Sequence, residues 1–152
     1  ASRIRAVHYS MDCDDGLNAE DYRRADLILV GVSRIGKTPV CLYLAMHFGL
    51  FCANYPLTVN DLAGEQLPSP LQPHRARIFG LTIDPDRLHQ IRQERRPGSR
   101  YAELQQCRDE VQRAESLFRQ HAVPFISTTG VSIEEIGTSI LQRTGVRREL
   151  LG

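Results

Sequence analysis

The clearest chemistry in the 152-residue chain lies in eight consecutive residues. They fit G-x-x-x-x-G-K-[ST], the phosphate-binding loop or P-loop, and are Gly31, Val32, Ser33, Arg34, Ile35, Gly36, Lys37 and Thr38. The two glycines allow a tight turn, in which backbone N–H groups converge on phosphate oxygens. Lys37 adds a positive charge for the terminal phosphates, and the Thr38 hydroxyl is a candidate Mg²⁺ ligand. The motif predicts that all eight residues bind the phosphates of a nucleotide.

The residues around the motif favour a real phosphate site over a chance match. Residues 27–30 are an uninterrupted apolar run, which is typical of a strand buried in a parallel sheet. Residues 38–48 follow as an apolar helix, with Pro39 in its first turn and Gly49 as a stop signal. The positive dipole end of this helix would point at the bound anion.

Asp84 is a second candidate for chemistry at the phosphates. It follows the predicted strand 77–83 and precedes Pro85, so it is well placed to be the N-cap of a helix. Ligands of α/β proteins bind at the carboxyl edge of the sheet, where Asp84 would lie. There its carboxylate would hold Mg²⁺ or accept a proton from an acceptor hydroxyl. The structural and functional roles are compatible, and both remain open.

Two charged clusters also have a structural and a functional interpretation. Asp14-Asp15-Gly16 is either a charged turn or a carboxylate pair near the phosphates, and the turn is favoured because Asp-Gly turns are common. An arginine cluster surrounds residues 97–99. It is either a solvated face or a lid whose guanidinium groups stabilise a transferring phosphoryl group. The cluster consists of Arg92, Arg95, Arg96 and Arg100.

Periodicity along the chain predicts the elements that would position these residues. Strands are predicted at 27–30, 51–55, 77–83 and 123–126. Helices are predicted at 2–11, 38–48, from 84 onward, 101–121 and from 132 to a stop at Gly145. A capping box is predicted at 132–135, a loop at 56–75, and a basic tail at Arg147 and Arg148. The order predicts one α/β domain over 1–152, a parallel sheet with helices on both faces as in P-loop nucleotide kinases.

Apolar residues at helical spacing predict which helix faces are buried. In the first helix these residues are Ile4, Val7 and Met11. In the helix at 101–121 they are Leu104, Cys107, Val111, Ala114 and Phe118. In the last helix they are Ile133, Ile136 and Ile140.

Composition excludes several classes of protein. The apolar content of 41% is too high for a disordered chain, and the net charge of +1 argues against bulk attraction to nucleic acid or anionic membranes. No apolar run approaches the ~18 residues of a membrane span, and no signal-peptide pattern is present. The four cysteines contain no C-x-x-C pair, and Cys41 and Cys107 are predicted to be packing residues. We therefore expect a cytoplasmic protein that binds neither nucleic acid nor membrane.

The chain resembles the bifunctional kinase–pyrophosphorylase family along nearly its whole length. The matching segments are GVSRIGKTP (31–39), ANYPL (53–57), FGLTIDPDRL (79–88), IRQERR (91–96), SRYA (99–102) and SIEEI (132–136), together with the acidic turn 14–16. Members of the family carry a further N-terminal domain. We therefore expect this chain, which begins at Ala1, to be the isolated C-terminal nucleotide-binding domain.

The resemblance implies an unusual pair of reactions. In one direction an ADP-dependent Ser/Thr kinase phosphorylates a threonine of phosphoenolpyruvate synthase and inactivates it. In the other, inorganic phosphate attacks the phosphothreonine and releases pyrophosphate. Related plant proteins act in the same way on pyruvate, phosphate dikinase. ADP, phosphate and pyrophosphate are the expected ligands, Mg²⁺ the expected cofactor, and the predicted catalytic residues are Lys37, Asp84, Arg95 and Arg96.

Two other functions remain open from the sequence. A small-molecule P-loop kinase of the nucleotide or shikimate type would have the same sheet, loop and arginine lid, and would turn over a small acceptor with ATP. A non-catalytic nucleotide-binding module would bind ADP tightly without transferring phosphate.

Overall fold

The computed structural model describes residues 2–146. At their centre lies a four-stranded parallel sheet. The strands are β1 (Leu27–Gly31), β2 (Cys52–Pro56), β3 (Ile78–Thr82) and β4 (Phe125–Ser127). Their order across the sheet is β2-β1-β3-β4, and each neighbouring pair is parallel. All five residues of β1 are buried. The predicted parallel sheet is confirmed, and β1, the strand before the P-loop, lies between β2 and β3.

Six α-helices within residues 2–146 flank the sheet. They are α1 (Ser2–Asp12), α2 (Lys37–Phe48), α3 (Val59–Ala63), α4 (Pro85–Arg95), α5 (Leu104–Gln120) and α6 (Ile133–Thr144). The chain crosses from β1 through α2 to β2 in one direction, and from β3 through α4 and α5 to β4 in the other. Because such crossovers are right-handed, the two sets of helices lie on opposite faces. Accordingly α1 and α6 pack on α2, whereas α3 and α4 pack on α5.

The strand order creates a crevice at the carboxyl edge of the sheet. The chain leaves β1 towards β2 on one side, and β3 lies on the other side of β1. Adjacent parallel strands whose connections run in opposite directions leave a gap outside their carboxyl ends, which is where α/β proteins bind ligands. Residues 31–38 follow β1 at this edge, and Asp84 follows β3.

Helix end signals are largely where the sequence predicts them. Asp84 caps α4, since its Oδ1 accepts a hydrogen bond from the backbone N–H of Asp86 at 3.0 Å. Gly49 ends α2 with a φ of 67°, a left-handed conformation that favours glycine. Ser132 caps α6 by accepting from the N–H of Glu135 at 3.1 Å. This bond is the serine half of the predicted capping box. The Glu135 carboxylate accepts from the Ser132 hydroxyl instead of from the Ser132 backbone N–H.

Helix α1 forms where predicted, but of its three predicted core residues only Val7 packs against the core, half-buried. Ile4 and Met11 are 62% and 61% exposed, whereas Ala6 and Tyr9 are 0% and 4% exposed. The ring of Tyr9 stacks on Phe51 with 4.9 Å between ring centroids. A tyrosine buries a large apolar ring while its hydroxyl keeps a hydrogen bond, so this face packs inward instead of the aliphatic one.

The prediction of a loop at residues 56–75 is wrong in part, because α3 forms within it. Thr58 Oγ1 accepts from the N–H of Asp61 at 3.1 Å, and Asp61 Oδ2 accepts from the N–H of Thr58 at 3.0 Å. This reciprocal capping box starts the helix. Buried leucines hold the rest of the segment against the core: Leu57, Leu62, Leu67 and Leu71.

Strand β4 forms near the predicted position but is not fully buried. Phe125 and Ile126 are half-buried and Ser127 is exposed, because β4 is last in the sheet order and has one neighbouring strand. The stripe on α5 is buried from Cys107 to Phe118, and Cys41 is buried too, as expected of packing residues.

Three further details differ from the sequence predictions or lie beyond the described residues. Helix α5 begins at Leu104, after a single 3₁₀ turn, rather than at 101. On α6, Ile133 is 39% exposed, whereas Ile136 and Ile140 are buried. The predicted basic tail lies outside residues 2–146. Within that range, none of the helices has both the length and the apolar character needed to cross a bilayer.

Candidate functional site

The P-loop encloses a cavity of about 300 Å³ at the carboxyl edge of the sheet. Its lining residues are Asp15, Ser33, Arg34, Gly36, Lys37, Thr38 and Pro39. Of the other predicted P-loop residues, Val32 and Ile35 are 2% and 4% exposed and pack in the hydrophobic core. The cavity is therefore formed mainly by the motif itself, as a phosphate site requires.

The two motif glycines are needed for different reasons. Gly36 has a φ of 101°, a conformation that L side chains rarely adopt. Gly31 has no such φ; instead a Cβ added there would lie 2.7 Å from the carbonyl oxygen of Leu81 on β3. Gly31 thus allows a close approach between two parallel strands, and Gly36 allows the turn into α2.

Lys37 is almost fully buried beneath the loop. It is 4% exposed, and its Nζ donates to the carbonyl oxygen of Val32 at 2.7 Å. Burial lowers the pKa of Lys37 to about 8, while the nearby carboxylate of Asp15 acts in the opposite direction. The ammonium is therefore held inside the loop, where a phosphate would be the natural replacement for its carbonyl partner.

The acidic turn lies directly beside the P-loop. Residues Asp14–Gly16 form one 3₁₀ turn, and Asp14 Oδ1 accepts a hydrogen bond from Thr38 Oγ1 at 2.6 Å. Asp15, in a left-handed conformation with a φ of 53°, lines the cavity. The favoured interpretation as a turn is correct, and the carboxylates also lie near the predicted phosphate position.

Asn54 lies beside the P-loop, although the sequence analysis did not select it as a site residue. It is fully buried in the middle of β2. Its Nδ2 donates to Asp14 Oδ1 at 2.6 Å, and its Oδ1 accepts from the N–H of Asp15 at 3.0 Å. The sequence does contain one indication: an asparagine lies within the predicted buried strand 51–55. Because buried polar groups are nearly always hydrogen-bonded, such a residue is expected to have a specific partner.

Asp84 lies at the same sheet edge but outside the lining of the P-loop cavity. Its side chain is exposed and caps α4, and its N–H donates to Thr129 Oγ1 at 2.8 Å. Among the hydrogen bonds of residues 2–146, none joins Asp84 to the P-loop. Its carboxylate is accessible from solvent, as an acceptor-side carboxylate would have to be.

Arg92 does not belong to an exposed arginine lid. Its side chain is 0% exposed and forms two hydrogen bonds to Glu110, of 2.9 and 3.0 Å. The same guanidinium donates to the carbonyl oxygens of Ser33 and Tyr101, at 3.2 and 3.1 Å. For this arginine the lid interpretation is wrong, because α5 places a carboxylate where its charge is compensated. Through its hydrogen bond to the Ser33 carbonyl oxygen, Arg92 anchors the P-loop.

The predicted catalytic arginines lie at the exposed end of α4. Arg95 ends the helix and Arg96 follows it. The guanidinium carbon of Arg96 lies 5.7 Å from the ring centroid of Tyr101. The Tyr101 hydroxyl is hydrogen-bonded to Ser33 Oγ in the P-loop, so Arg96 is separated from the loop by a single aromatic side chain.

A comparison with protein-family models identifies the group to which this site belongs. The model described as kinase/pyrophosphorylase matches residues 1–141. The chain belongs to this family. The family resemblance predicted from the sequence motifs is therefore confirmed, and a kinase family implies a nucleotide ligand.

Similar proteins carry the name "Putative phosphoenolpyruvate synthase regulatory protein". The chain is 60% identical over 147 residues to the one from Laribacter hongkongensis, with 97% of this chain and 54% of that protein covered. It is 55% identical over 148 residues to the one from Halorhodospira halophila, and 50% over 146 residues to the one from Marinobacter nauticus, which cover 97% and 96% of this chain and 54% of each relative. The chain thus spans about half the length of these relatives.

The lowered pKa of Lys37 predicts how ADP affinity depends on pH. Above pH about 8 the free protein loses the Lys37 proton, whereas a bound phosphate would favour the charged ammonium. The affinity should therefore fall as pH rises, by roughly tenfold per pH unit well above this pKa. Isothermal titration calorimetry without divalent cations between pH 7 and 10 measures this. Lys37→Arg, which stays charged, should show no such slope; a flat profile for the unmodified chain would contradict the prediction.

The buried Arg92–Glu110 pair predicts a large loss of stability on neutralising one partner. Glu110→Gln leaves a buried guanidinium without its counter-charge, which should lower the free energy of unfolding by about 3 kcal/mol. Urea denaturation followed by circular dichroism measures this change. Glu94→Gln on the exposed surface of α4 removes the same charge and should change stability by less than about 0.5 kcal/mol. Equal effects of the two substitutions would argue against the pair as an anchor.

Proposed function

We propose that this chain is the nucleotide-binding and phosphoryl-transferring domain of an ADP-dependent Ser/Thr protein kinase that is also a phosphate-dependent pyrophosphorylase. The proposed protein substrate is phosphoenolpyruvate synthase, which the names of the relatives suggest. The observation that carries the proposal is the P-loop cavity with its buried Lys37, in a chain of the kinase/pyrophosphorylase family.

ADP binding would use the P-loop in the usual way. The backbone N–H groups of residues 31–38 and the N-terminus of α2 surround the phosphates. Lys37 would exchange its bond to the Val32 carbonyl oxygen for one to a phosphate oxygen. The same N–H groups and Lys37 would bind free phosphate or pyrophosphate, because ADP, phosphate and pyrophosphate all present phosphate oxygens. One site would therefore serve both reactions.

Mg²⁺ is the metal that the kinase function implies. The donors around the cavity are oxygens, from the Thr38 hydroxyl and the adjoining acidic turn, and oxygen donors are what Mg²⁺ prefers. Among residues 2–146, no group of three or more His, Cys, Asp and Glu side chains is arranged to hold a metal. Mg²⁺ characteristically relies on substrate phosphates and water for its remaining ligands, so this donor set fits. When bound, the ion would neutralise charge on the phosphates.

In the kinase direction, the target threonine hydroxyl would attack the β-phosphorus of ADP, and AMP would leave. Asp84 would accept the hydroxyl proton as general base; its exposure at the carboxyl edge supports this role. Arg95 and Arg96 would stabilise the negative charge on the moving phosphoryl group. The contact of Arg96 with Tyr101, which is bonded to Ser33, supports its closeness to the loop.

In the pyrophosphorylase direction, bound phosphate would attack the phosphorus of the phosphothreonine. The P–O bond to threonine breaks, pyrophosphate forms, and the threonine oxygen takes up a proton. Phosphate is already an anionic nucleophile, so this direction needs a general base less than the kinase direction does. The requirement for Lys37 is the same in both, because both develop charge at the same phosphates.

Transfer of labelled phosphate tests the proposal. The protein that contains this chain is incubated with phosphoenolpyruvate synthase and ADP labelled in its β-phosphate. Label should appear on a synthase threonine, synthase activity should fall, and added phosphate should release labelled pyrophosphate. Lys37→Ala should slow both directions by about 10² to 10³. ADP binding without transfer would instead indicate a binding module, and turnover of a small acceptor with ATP a small-molecule kinase.

Replacing Asp84 by Asn separates its catalytic role from its capping role. Asn caps a helix about as well as Asp but does not act as a carboxylate base. The kinase rate should therefore fall strongly, phosphorolysis should fall less, and the melting temperature should stay nearly constant. Asp86→Asn, which neutralises an exposed carboxylate on the same helix turn, is the matched control. An unchanged kinase rate in Asp84→Asn would refute the assignment of Asp84 as general base.

A further inference from the structure

The P-loop cavity has an electrostatic feature that nucleotide binding alone leaves unexplained. It is lined by Lys37 and Arg34, but also by Asp15, and Asp14 contacts Thr38 behind it. Carboxylates close to a bound diphosphate repel it. A cation located between the carboxylates and the phosphates would turn this repulsion into attraction.

The hydrogen bonds of Asp14 leave the Thr38 hydroxyl ready for such a cation. Thr38 Oγ1 donates its only proton to Asp14 Oδ1 at 2.6 Å, so the lone pairs of Oγ1 stay available. Asn54 Nδ2 donates to the same carboxylate oxygen, also at 2.6 Å. Asp14 Oδ1 thus accepts two hydrogen bonds, which fix the orientation of the carboxylate. Among residues 2–146, no hydrogen bond or ion pair uses Asp14 Oδ2.

The position of Asp14 is fixed by a buried strand rather than by a flexible surface segment. Asn54, 0% exposed in the middle of β2, binds the turn and the residue before it at three points. Its Nδ2 holds Asp14, its Oδ1 accepts from the N–H of Asp15 at 3.0 Å, and its own N–H donates to the carbonyl oxygen of Cys13 at 3.3 Å. The turn is thereby attached to the sheet next to the P-loop.

We propose that Asp14 is the carboxylate that, together with the Thr38 hydroxyl, holds Mg²⁺ against the phosphates of bound ADP. The inference rests on the proposed function, because the ion needs the phosphates of a nucleotide to complete its coordination. Asp84, the carboxylate at the end of β3, is left as the acceptor-side group: its Oδ1 caps α4, and it has no hydrogen bond to Thr38 among the described residues. The metal carboxylate thus comes from the turn before β1.

The Mg²⁺ dependence of ADP binding tests this assignment without measuring catalysis. ADP is titrated calorimetrically into the unmodified chain and into Asp14→Asn, once with Mg²⁺ and once with EDTA. Mg²⁺ should tighten ADP binding to the unmodified chain, and Asp14→Asn should lose at least about tenfold of that gain. In EDTA, Asp14→Asn should bind ADP as tightly as the unmodified chain or more tightly, because a repulsive charge is removed. The substitution therefore acts with opposite sign in the two buffers.

Two controls make the result specific. Asp12→Asn removes the same charge from an exposed residue two positions earlier and should keep the full Mg²⁺ effect. Mn²⁺ with ADP, followed by the EPR signal of the ion, should report immobilised metal in the unmodified chain and in Asp12→Asn but not in Asp14→Asn. If Asp14→Asn does not fold, Thr38→Ser and Thr38→Val replace it: serine should keep the Mg²⁺ effect and valine should lose it.

Several results would overturn the inference alone. These are a Mg²⁺ effect that persists in Asp14→Asn, a loss of ADP affinity that is equal in EDTA, the absence of any Mg²⁺ effect in the unmodified chain, or equal behaviour of the two Thr38 variants. If the unmodified chain bound no ADP in either buffer, the proposed function would fail and this inference with it.

Discussion

The structure depends on one buried charge pair. Arg92 is completely removed from solvent, and a charge in that position is tolerated only when its partners are held in place. Glu110 on α5 compensates the charge, and the carbonyl oxygens of Ser33 and Tyr101 accept further hydrogen bonds from the guanidinium. One side chain therefore joins α4, α5, the segment before α5 and the P-loop. The loop is held in position before any ligand arrives, which is the condition for electrostatic stabilisation without reorganisation.

A second polar cluster holds the other end of the loop. Asp14 and Asn54 fix the Thr38 hydroxyl where α2 begins, while Arg92 and Tyr101 fix Ser33 near the start of the loop. The cavity therefore lies between a cationic anchor, Arg92, and an anionic anchor, Asp14, and Lys37 is buried between them. The Tyr101 ring also lies under Arg92 and Arg96, at 4.0 and 5.7 Å. The exposed arginine segment and the loop therefore both contact the Tyr101 side chain.

The sequence by itself determined the features that depend on near neighbours in the chain. The P-loop, the strand before it and the helix after it are a continuous pattern, and the left-handed Gly36 follows from the motif. The caps of α4 and α6 form within three residues of Asp84 and Ser132, so they too can be predicted locally. The parallel sheet followed from the alternation of strands and helices. The order of its strands did not, because it depends on which crossover packs on which side.

Only the tertiary structure decided the roles of residues whose partners are far away in the chain. Asp14 is separated from Thr38 by 24 residues and from Asn54 by 40, and no local pattern encodes either hydrogen bond. Arg92 has the sequence context of a solvated arginine cluster, yet Glu110, 18 residues away, makes it a buried anchor. The inward face of α1 likewise depended on the ring that Tyr9 meets. Local propensity selects an element, but burial and charge compensation depend on what the fold places against it.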